Sequence, residues 1–248
     1  MAVSPEAAAS TQASPAAGKQ ILIAGASRGL GLGLANSFAV HGWDVVATER
    51  AASARLAAAA AAADGRIRVK RLDINDRQLV QGLHRQLASE LFDVIFIVAG
   101  VSDKEPTRPV HQVPVDEAAQ VFITNAYSPM YFAETFFDRL KPHGTLAIMT
   151  SRMGSLTLVS TSMDGTWEVY RASKAALNML ACCFYQRHRG GGCTLLLLHP
   201  GVVKTDMGGP DAPVDLATSV EGLYATLRKW EGSGEQAFLD YQGNVLPW

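Results

Sequence analysis

An apolar run, Gln20-Ile21-Leu22-Ile23-Ala24, stops at Gly25 and passes through Ala26-Ser27-Arg28-Gly29-Leu30-Gly31 into a helical pattern from Leu32 to His41. A short run with no polar alternation is the mark of a strand buried on both faces, as in a parallel sheet covered by helices on either side. Strand, glycine turn and helix in that order meet the needs of a dinucleotide pyrophosphate. Glycines let the backbone approach the phosphates, and the helix N-terminus offers free N–H groups and a favourable dipole. The spacing is G-x-x-x-G-x-G, not G-x-G-x-x-G, and any turn can use glycine. It is the place after the first strand that carries the nucleotide reading.

The rest of the chain repeats the alternation. Strands are predicted at Asp44 to Thr48, Ile67 to Leu72, Val94 to Val98, Thr145 to Met149, Thr194 to Leu198 and near Phe238. Helices are predicted at Ala51 to Ala63, Asp76 to Glu90, Glu117 to Asn125 and past Pro129, from Tyr170 onward, and Val214 to Trp230. Strands alternating with helices imply right-handed crossovers and a single-domain, Rossmann-like, doubly wound parallel α/β sheet of about seven strands. No internal repeat is visible. The domain is expected over residues 19–248, after a leader, 1–18, of Ala, Ser, Pro and Thr that reads as disordered.

Composition excludes several functions. A formal net charge of -1 over 248 residues gives no footprint for nucleic acid or an anionic membrane. The leader lacks the basic start and apolar stretch of a secretory signal, and no later run could span a bilayer. Cys182, Cys183 and Cys193 are too few for a disulfide framework or zinc site and suit a reducing compartment, so a cytoplasmic location is expected. The six histidines lack ligand spacing, and no metal is expected.

Tyr170 and Lys174 lie four positions apart ahead of Ala175-Ala176-Leu177-Asn178-Met179-Leu180, a stretch rich in helix formers. One turn apart, both project from the same face. A phenol holds its proton too tightly at neutral pH, and an adjacent ammonium favours the phenolate. The pair then suits interconversion of a carbonyl and an alcohol. Alone, the same spacing describes an ordinary helix pair.

Gly25-x-x-x-Gly29-x-Gly31, Asp73, Ala99-Gly100, Asn125, Ser151, Tyr170-x-x-x-Lys174 and Pro200-Gly201 follow one another in one order. Together they resemble the short-chain dehydrogenase/reductase family over nearly everything after residue 18. Ser151-Arg152-Met153-Gly154-Ser155, the run from Tyr170 to Met179, His199 to Met207 and the ending Gly243 to Trp248 are similar to its C-factor and sniffer-like carbonyl reductase branch. The resemblance implies a catalytic set of Asn125, Ser151, Tyr170 and Lys174. Tyr170 would be the general acid in reduction, and Lys174 would tune it and hold the nicotinamide ribose. Ser151 would polarise the substrate carbonyl, and Asn125 would anchor a relay water or, alternatively, mark a helix kink before Pro129. Cofactor contacts are implied for Gly25, Ser27, Arg28, Gly29, Leu30, Gly31, Asp73, Ile74, Ala99, Gly100, Pro200, Gly201, Val203 and Thr205. Asp73 reads equally as an N-cap for the next helix.

Glu49-Arg50 follows the second strand, where an acid selects NAD and an arginine accommodates a 2′-phosphate. In the reductases that the chain resembles, the arginine position matches Arg50. NADP(H) is therefore expected over NAD(H), with Glu49 turned to solvent. Two departures stand out. Ile97-Val98 replaces the family's Asn-Asn, so apolar packing must replace a strand-tying amide. Ser151 lies 19 positions before Tyr170, where about a dozen is usual, and the extra stretch, Leu156 to Trp167, reads as a pocket-shaping loop. The short segment Gly208 to Pro213 suggests an open site. The expected activity is hydride transfer between nicotinamide and a small-molecule carbonyl or secondary alcohol. A non-redox elimination or cyclisation, or nucleotide sensing without turnover, are the alternatives. Ala172, Ala175, Ala176, Met179, Leu180 and Cys183 form an apolar stripe, which either covers the sheet or, as the family implies, pairs in a two-fold homodimer.

Overall fold

In the computed structural model, which describes residues 18–162 and 166–248, seven parallel strands form one sheet. They are β1 (Gln20–Ala24), β2 (Asp44–Glu49), β3 (Ile67–Arg71), β4 (Phe92–Ile97), β5 (Leu140–Met149), β6 (Thr194–His199) and β7 (Gln236–Asp240), in the order β3-β2-β1-β4-β5-β6-β7. The leader, apart from Gly18, and Met163-Asp164-Gly165 lie outside the described residues. Eight α-helices are described: α1 (Gly29–Val40), α2 (Ala54–Ala62), α3 (Arg77–Gln86), α4 (Val115–Phe122), α5 (Ser128–Phe136), α6 (Leu156–Ser162), α7 (Glu168–His188) and α8 (Leu216–Trp230). Among the described residues, no helix is long and apolar enough to cross a membrane.

Successive strand residues point to opposite faces, and each face has its own core. Leu22, Val46, Ile95, Ile97, Leu146 and Leu195 pack with Val80, Phe132, Phe136, Leu177 and Phe184 from α3, α5 and α7. Ile21, Ile23, Val45, Phe96, Ala147 and Leu196 pack with Leu34, Phe38, Leu56, Val220 and Leu223 from α1, α2 and α8. Burial on both faces is why the inner strands β1, β4 and β6 read as apolar runs, whereas the edge strand β3, Ile67–Arg71, is largely polar and half exposed. Ile97, at the place of the family's amide, is fully packed in the first core, while the backbone N–H groups of Val98 and Ala99 both reach the Ala24 carbonyl, at 2.9 and 3.0 Å.

The strand order reverses between β1 and β4, so the turns leaving these two strands diverge and open a crevice at their carboxyl ends. Two glycines make that geometry possible. Gly25 has φ 98°, and a Cβ there would stand 2.9 Å from the Ala99 backbone nitrogen. A Cβ on Gly31 would meet the Gly25 carbonyl oxygen at 2.0 Å, a contact no side chain can make.

Several expectations about helices are corrected. Leu156 to Trp167 is not wholly a loop, since α6 occupies Leu156–Ser162, with the Leu158 N–H donating to Ser155 Oγ. Asp73 does not cap α3. That cap is Asp76, which accepts from the backbone N–H groups of Gln78 and Leu79, whereas Asp73 Oδ1 takes the N–H of Asn75. Glu49 is not free in solvent either, because its carboxylate accepts from the Ser53 N–H at 2.8 Å just before α2. The stripe on α7 covers the sheet only in part: Ala176 packs against the core and Ala175 is half-buried, while the rest faces outward. Met179 is 65% exposed and Leu180 41%, Ala172 and Cys183 are exposed, and the residues facing inward are Tyr170, Ser173, Lys174, Leu177, Ala181 and Phe184.

Candidate active site

A cleft of about 450 Å³ lies over the switch point, lined at one end by the glycine turn and at the other by Tyr170 and Lys174. The turn feeds α1, whose N-cap residue, Arg28, makes no side-chain cap bond and whose first turn carries no acid. The free N–H groups and the positive end of the helix dipole are thus left to whatever binds there. Ser53 braces the turn: its hydroxyl donates to the Ser27 carbonyl at 2.8 Å and accepts from the Leu56 N–H at 3.2 Å. A turn backed by hydrogen bonds and closed to any Cβ is the cradle a pyrophosphate requires.

Of the expected cofactor residues, Gly25, Ser27, Arg28, Gly29, Leu30, Gly31, Arg50, Asp73, Ile74, Ala99, Gly100, Tyr170, Lys174, Pro200 and Thr205 line this cleft. Gly201 and Val203 do not. Gly201, at φ 86°, turns the chain beneath Tyr241 and Val214, and Val203 is buried in a bridge to Val214. The sequence reading missed Arg55, Asn75, Thr124 and Lys204, all on the cleft wall. Arg55 opens α2 five residues after Arg50, so the helix start could have signalled a second cation there. Arg28 also has a partner within the protein. It pairs with Asp206 at 2.6 Å across the cleft mouth, an exposed contact of little energetic weight.

The catalytic candidates converge from three elements. Lys174 is only 4% exposed, and its ammonium donates to the Met149 carbonyl at 3.1 Å while standing 5.7 Å from the centre of the Tyr170 ring. Tyr170 is buried, lies beside the Ser151 hydroxyl, and meets Trp167 edge-on at 5.8 Å. Asn125 sits in a π-helical turn, Ile123–Tyr127, between α4 and α5. Its side chain bonds both backbone groups of Val101 at 2.8 Å and donates to Ser173 Oγ at 3.0 Å, which fixes the start of the β4–α4 loop against α7. Pro129, with no N–H, can give nothing to the Asn125 carbonyl four residues back. Asn125 therefore occupies the π-helical turn and also sits beside the functional groups: a Cβ on Gly100 would lie 3.3 Å from its side-chain oxygen and 3.5 Å from the Lys174 nitrogen.

The electrostatics differ from the simple pair that the sequence suggests. Burial pushes the Tyr170 phenol up to about 12; the Ser151 hydroxyl opposes this and the charge of Asp103 adds to it. Burial also pulls Lys174 down to about 8. The ammonium stands over the ring and is committed to a carbonyl, so desolvation outweighs it. At neutral pH the site holds a phenol beside a buried ammonium, a proton donor rather than a standing base. Among the described residues, no three His, Cys, Asp or Glu side chains are grouped to hold a metal ion.

Comparison with known proteins agrees with this geometry. The family model for short chain dehydrogenases matches residues 19–213. The chain is 38% identical over 159 residues to the C-signal protein of Myxococcus xanthus, spanning 63% of this chain and 92% of that one. A short-chain dehydrogenase/reductase from Burkholderia multivorans, solved with bound NADP, superposes with a TM-score of 0.89 at 38% identity, over 93% of this chain and 99% of that one. A carbonyl reductase from Pseudomonas aeruginosa PAO1 in complex with NADP superposes at 0.85 and 36% identity, over 93% and 99% of the two chains.

Proposed function

The chain belongs to the short-chain dehydrogenase/reductase family of oxidoreductases, and from that premise we propose that it reduces a small-molecule carbonyl with NADP(H) and uses Tyr170 as the proton donor. One observation carries the reading: Tyr170 and Lys174 line the same cleft as an uncapped helix N-terminus. When bound, the cofactor supplies the hydride. The glycine turn and the start of α1 hold its pyrophosphate, Arg50 and Arg55 its 2′-phosphate, Asp73 and Ile74 the adenine side, and Thr205 the nicotinamide end.

Ser151 orients the carbonyl and stabilises charge developing on its oxygen. Tyr170 delivers the proton to that oxygen. Lys174 holds the nicotinamide ribose and offsets negative charge left on the phenol. Asn125 maintains the geometry through Val101 and Ser173 and offers its backbone carbonyl to a water that returns protons to Lys174. Because burial favours the protonated phenol, carbonyl reduction is the favoured direction at neutral pH and alcohol oxidation needs alkaline conditions. Purified protein mixed with NADPH and a panel of aldehydes and ketones should consume NADPH absorbance with at least one member. Binding of NADPH with no turnover on any carbonyl would favour the sensing alternative, and product formed without NADPH consumption the non-redox one.

Cofactor choice gives a sharper expectation. Arg50→Ala should weaken NADPH binding by tenfold or more, the loss of a charge-assisted contact of roughly 1.5–3 kcal/mol, and leave NADH nearly unchanged. Equal losses for both cofactors in fluorescence titrations would remove Arg50 from this role. Assembly is the other. The solvent-facing stripe of Ala172, Met179, Leu180 and Cys183 on α7 is a surface for two-fold pairing with a second copy. Light scattering should give a dimer mass at micromolar concentration, and a monomer there would end the idea. The cysteines among the described residues are all free, which suits a cytoplasmic enzyme.

A further inference from the structure

The alternation of β5 runs one residue past its end. Leu146 and Ile148 face the core beneath α7, while Ala147 and Met149 face the opposite one. Thr150 therefore points toward α7, where it is buried. On that helix Tyr170, Lys174 and Asn178 stand one turn apart on the inward face, which Leu177, Ala181 and Phe184 otherwise make apolar. Thr150 and Asn178 meet in this layer: the Thr150 hydroxyl donates to Asn178 Oδ1 at 2.7 Å. The Asn178 amide nitrogen has no hydrogen-bond partner among the described residues. An interior amide bonded at one end costs the fold, and a leucine of similar size would fill the place without that cost.

The neighbours of Thr150 hold the functional groups. The Met149 carbonyl accepts from the Lys174 ammonium at 3.1 Å, and the Ser151 hydroxyl accepts from the Met153 N–H at 3.1 Å. The turn Arg152–Gly154 then rests on the lysine itself, since a Cβ on Gly154 would lie 2.8 Å from the Lys174 carbonyl carbon and 2.9 Å from its Cβ. The Thr150 N–H donates to the Leu198 carbonyl at 2.9 Å, which fixes the residue to β6, and its side chain ties that sheet end to α7. We propose that Thr150 and Asn178 are positioning residues: their buried hydrogen bond sets α7 against the end of β5 and so places Ser151 relative to Tyr170 and Lys174. This rests on the reading of those three as the groups that reduce the carbonyl. Apolar side chains lack directional contacts and permit sliding, and a shift of about 1 Å can cost a factor of about a hundred in rate.

Three single variants and one double variant isolate the bond. Thr150→Val keeps the shape and deletes the hydroxyl, Asn178→Leu keeps the bulk and deletes the acceptor, and Thr150→Ser keeps the hydroxyl. On a carbonyl that the wild type reduces, assayed well below each melting temperature, the Val and Leu variants should each lower kcat by about ten- to a hundredfold with a much smaller change in KM. The Ser variant should recover most of the rate. The Val/Leu double variant should lose no more than the worse single one, because both delete the same interaction. Melting curves read the bond without any ligand. Thr150→Val, which leaves the Asn178 oxygen bare, should melt about 3–6 °C lower, and adding Asn178→Leu should restore most of that. A double variant that is stable yet slow is a combination a merely structural pair cannot give. Single variants that turn over at the wild-type rate, or losses that multiply in the double variant, would overturn the proposal, and either single variant decides if the other does not fold. Tyr170→Phe on the same carbonyl separates the two failures: an active Phe variant ends the reading of the site, whereas an inactive one beside fully active Val and Leu variants ends only the role of the Thr150–Asn178 bond.

Discussion

Tyr170→Phe is expected to lower turnover by about two to four powers of ten, the loss typical of a positioned general acid, while NADPH binding stays close to wild type. The substitution deletes one oxygen and leaves the ring against Trp167, the helix and the cleft wall in place. Ser151, beside the deleted hydroxyl, still accepts from the Met153 N–H and so keeps its place just after β5. Measuring kcat on a verified carbonyl alongside a fluorescence titration of NADPH separates chemistry from binding. A Phe variant reducing that carbonyl at near wild-type rate would end the proton-donor assignment, whatever the fold.

The parts legible in the sequence are those fixed by local or periodic signals. Strands buried on both faces had to be apolar throughout, and Gly25 and Gly31 stand where no side chain fits. Tyr170 and Lys174 share a helix face because they are one turn apart. What the sequence hid depends on which way a surface points or on partners distant in the chain. Periodicity marked the stripe from Ala172 to Cys183 but could not say that most of it faces solvent, because small residues serve equally on either side. Two acceptors, Glu49 and Asp73, were misread for a similar reason. Asp73 and Asp76 are equivalent as letters, and only backbone geometry gives the cap to Asp76.

Burial was the other invisible quantity. An ammonium near a phenol suggests a lowered phenol, yet enclosure by α7, β5 and the β4–α4 loop drives Tyr170 up and Lys174 down. The seven-residue α6 was missed because its Ser- and Thr-rich sequence reads as loop. It is held by Ser155 and by the Trp248 carbonyl, which accepts from Ser155 and from both the N–H and hydroxyl of Thr157.

Lys174→Met should disable the enzyme without weakening the fold. The ordinary lysine value of 10.5 falls to about 8 in the folded protein because the ammonium is buried. Between those values the unfolded chain holds a proton that the folded one has lost, so stability rises as pH climbs from about 8 to about 10.5. Below about pH 8 both states are charged, and the folded state carries the full cost of an interior ammonium, on the order of 3 kcal/mol. Met is of similar length and removes that cost, while the Met149 carbonyl loses a donor at about 1–2 kcal/mol. The variant should therefore melt a few degrees above wild type at pH 7, and the gain should vanish near pH 10.5, where the wild-type amine is already neutral. Turnover and NADPH affinity should fall together, since the same ammonium supports the phenol and the ribose. This is the trade expected where function requires a charge that the fold would rather exclude. A Met variant that melts below wild type at neutral pH, or that turns over at the wild-type rate, would show that Lys174 belongs to the framework and not to the chemistry.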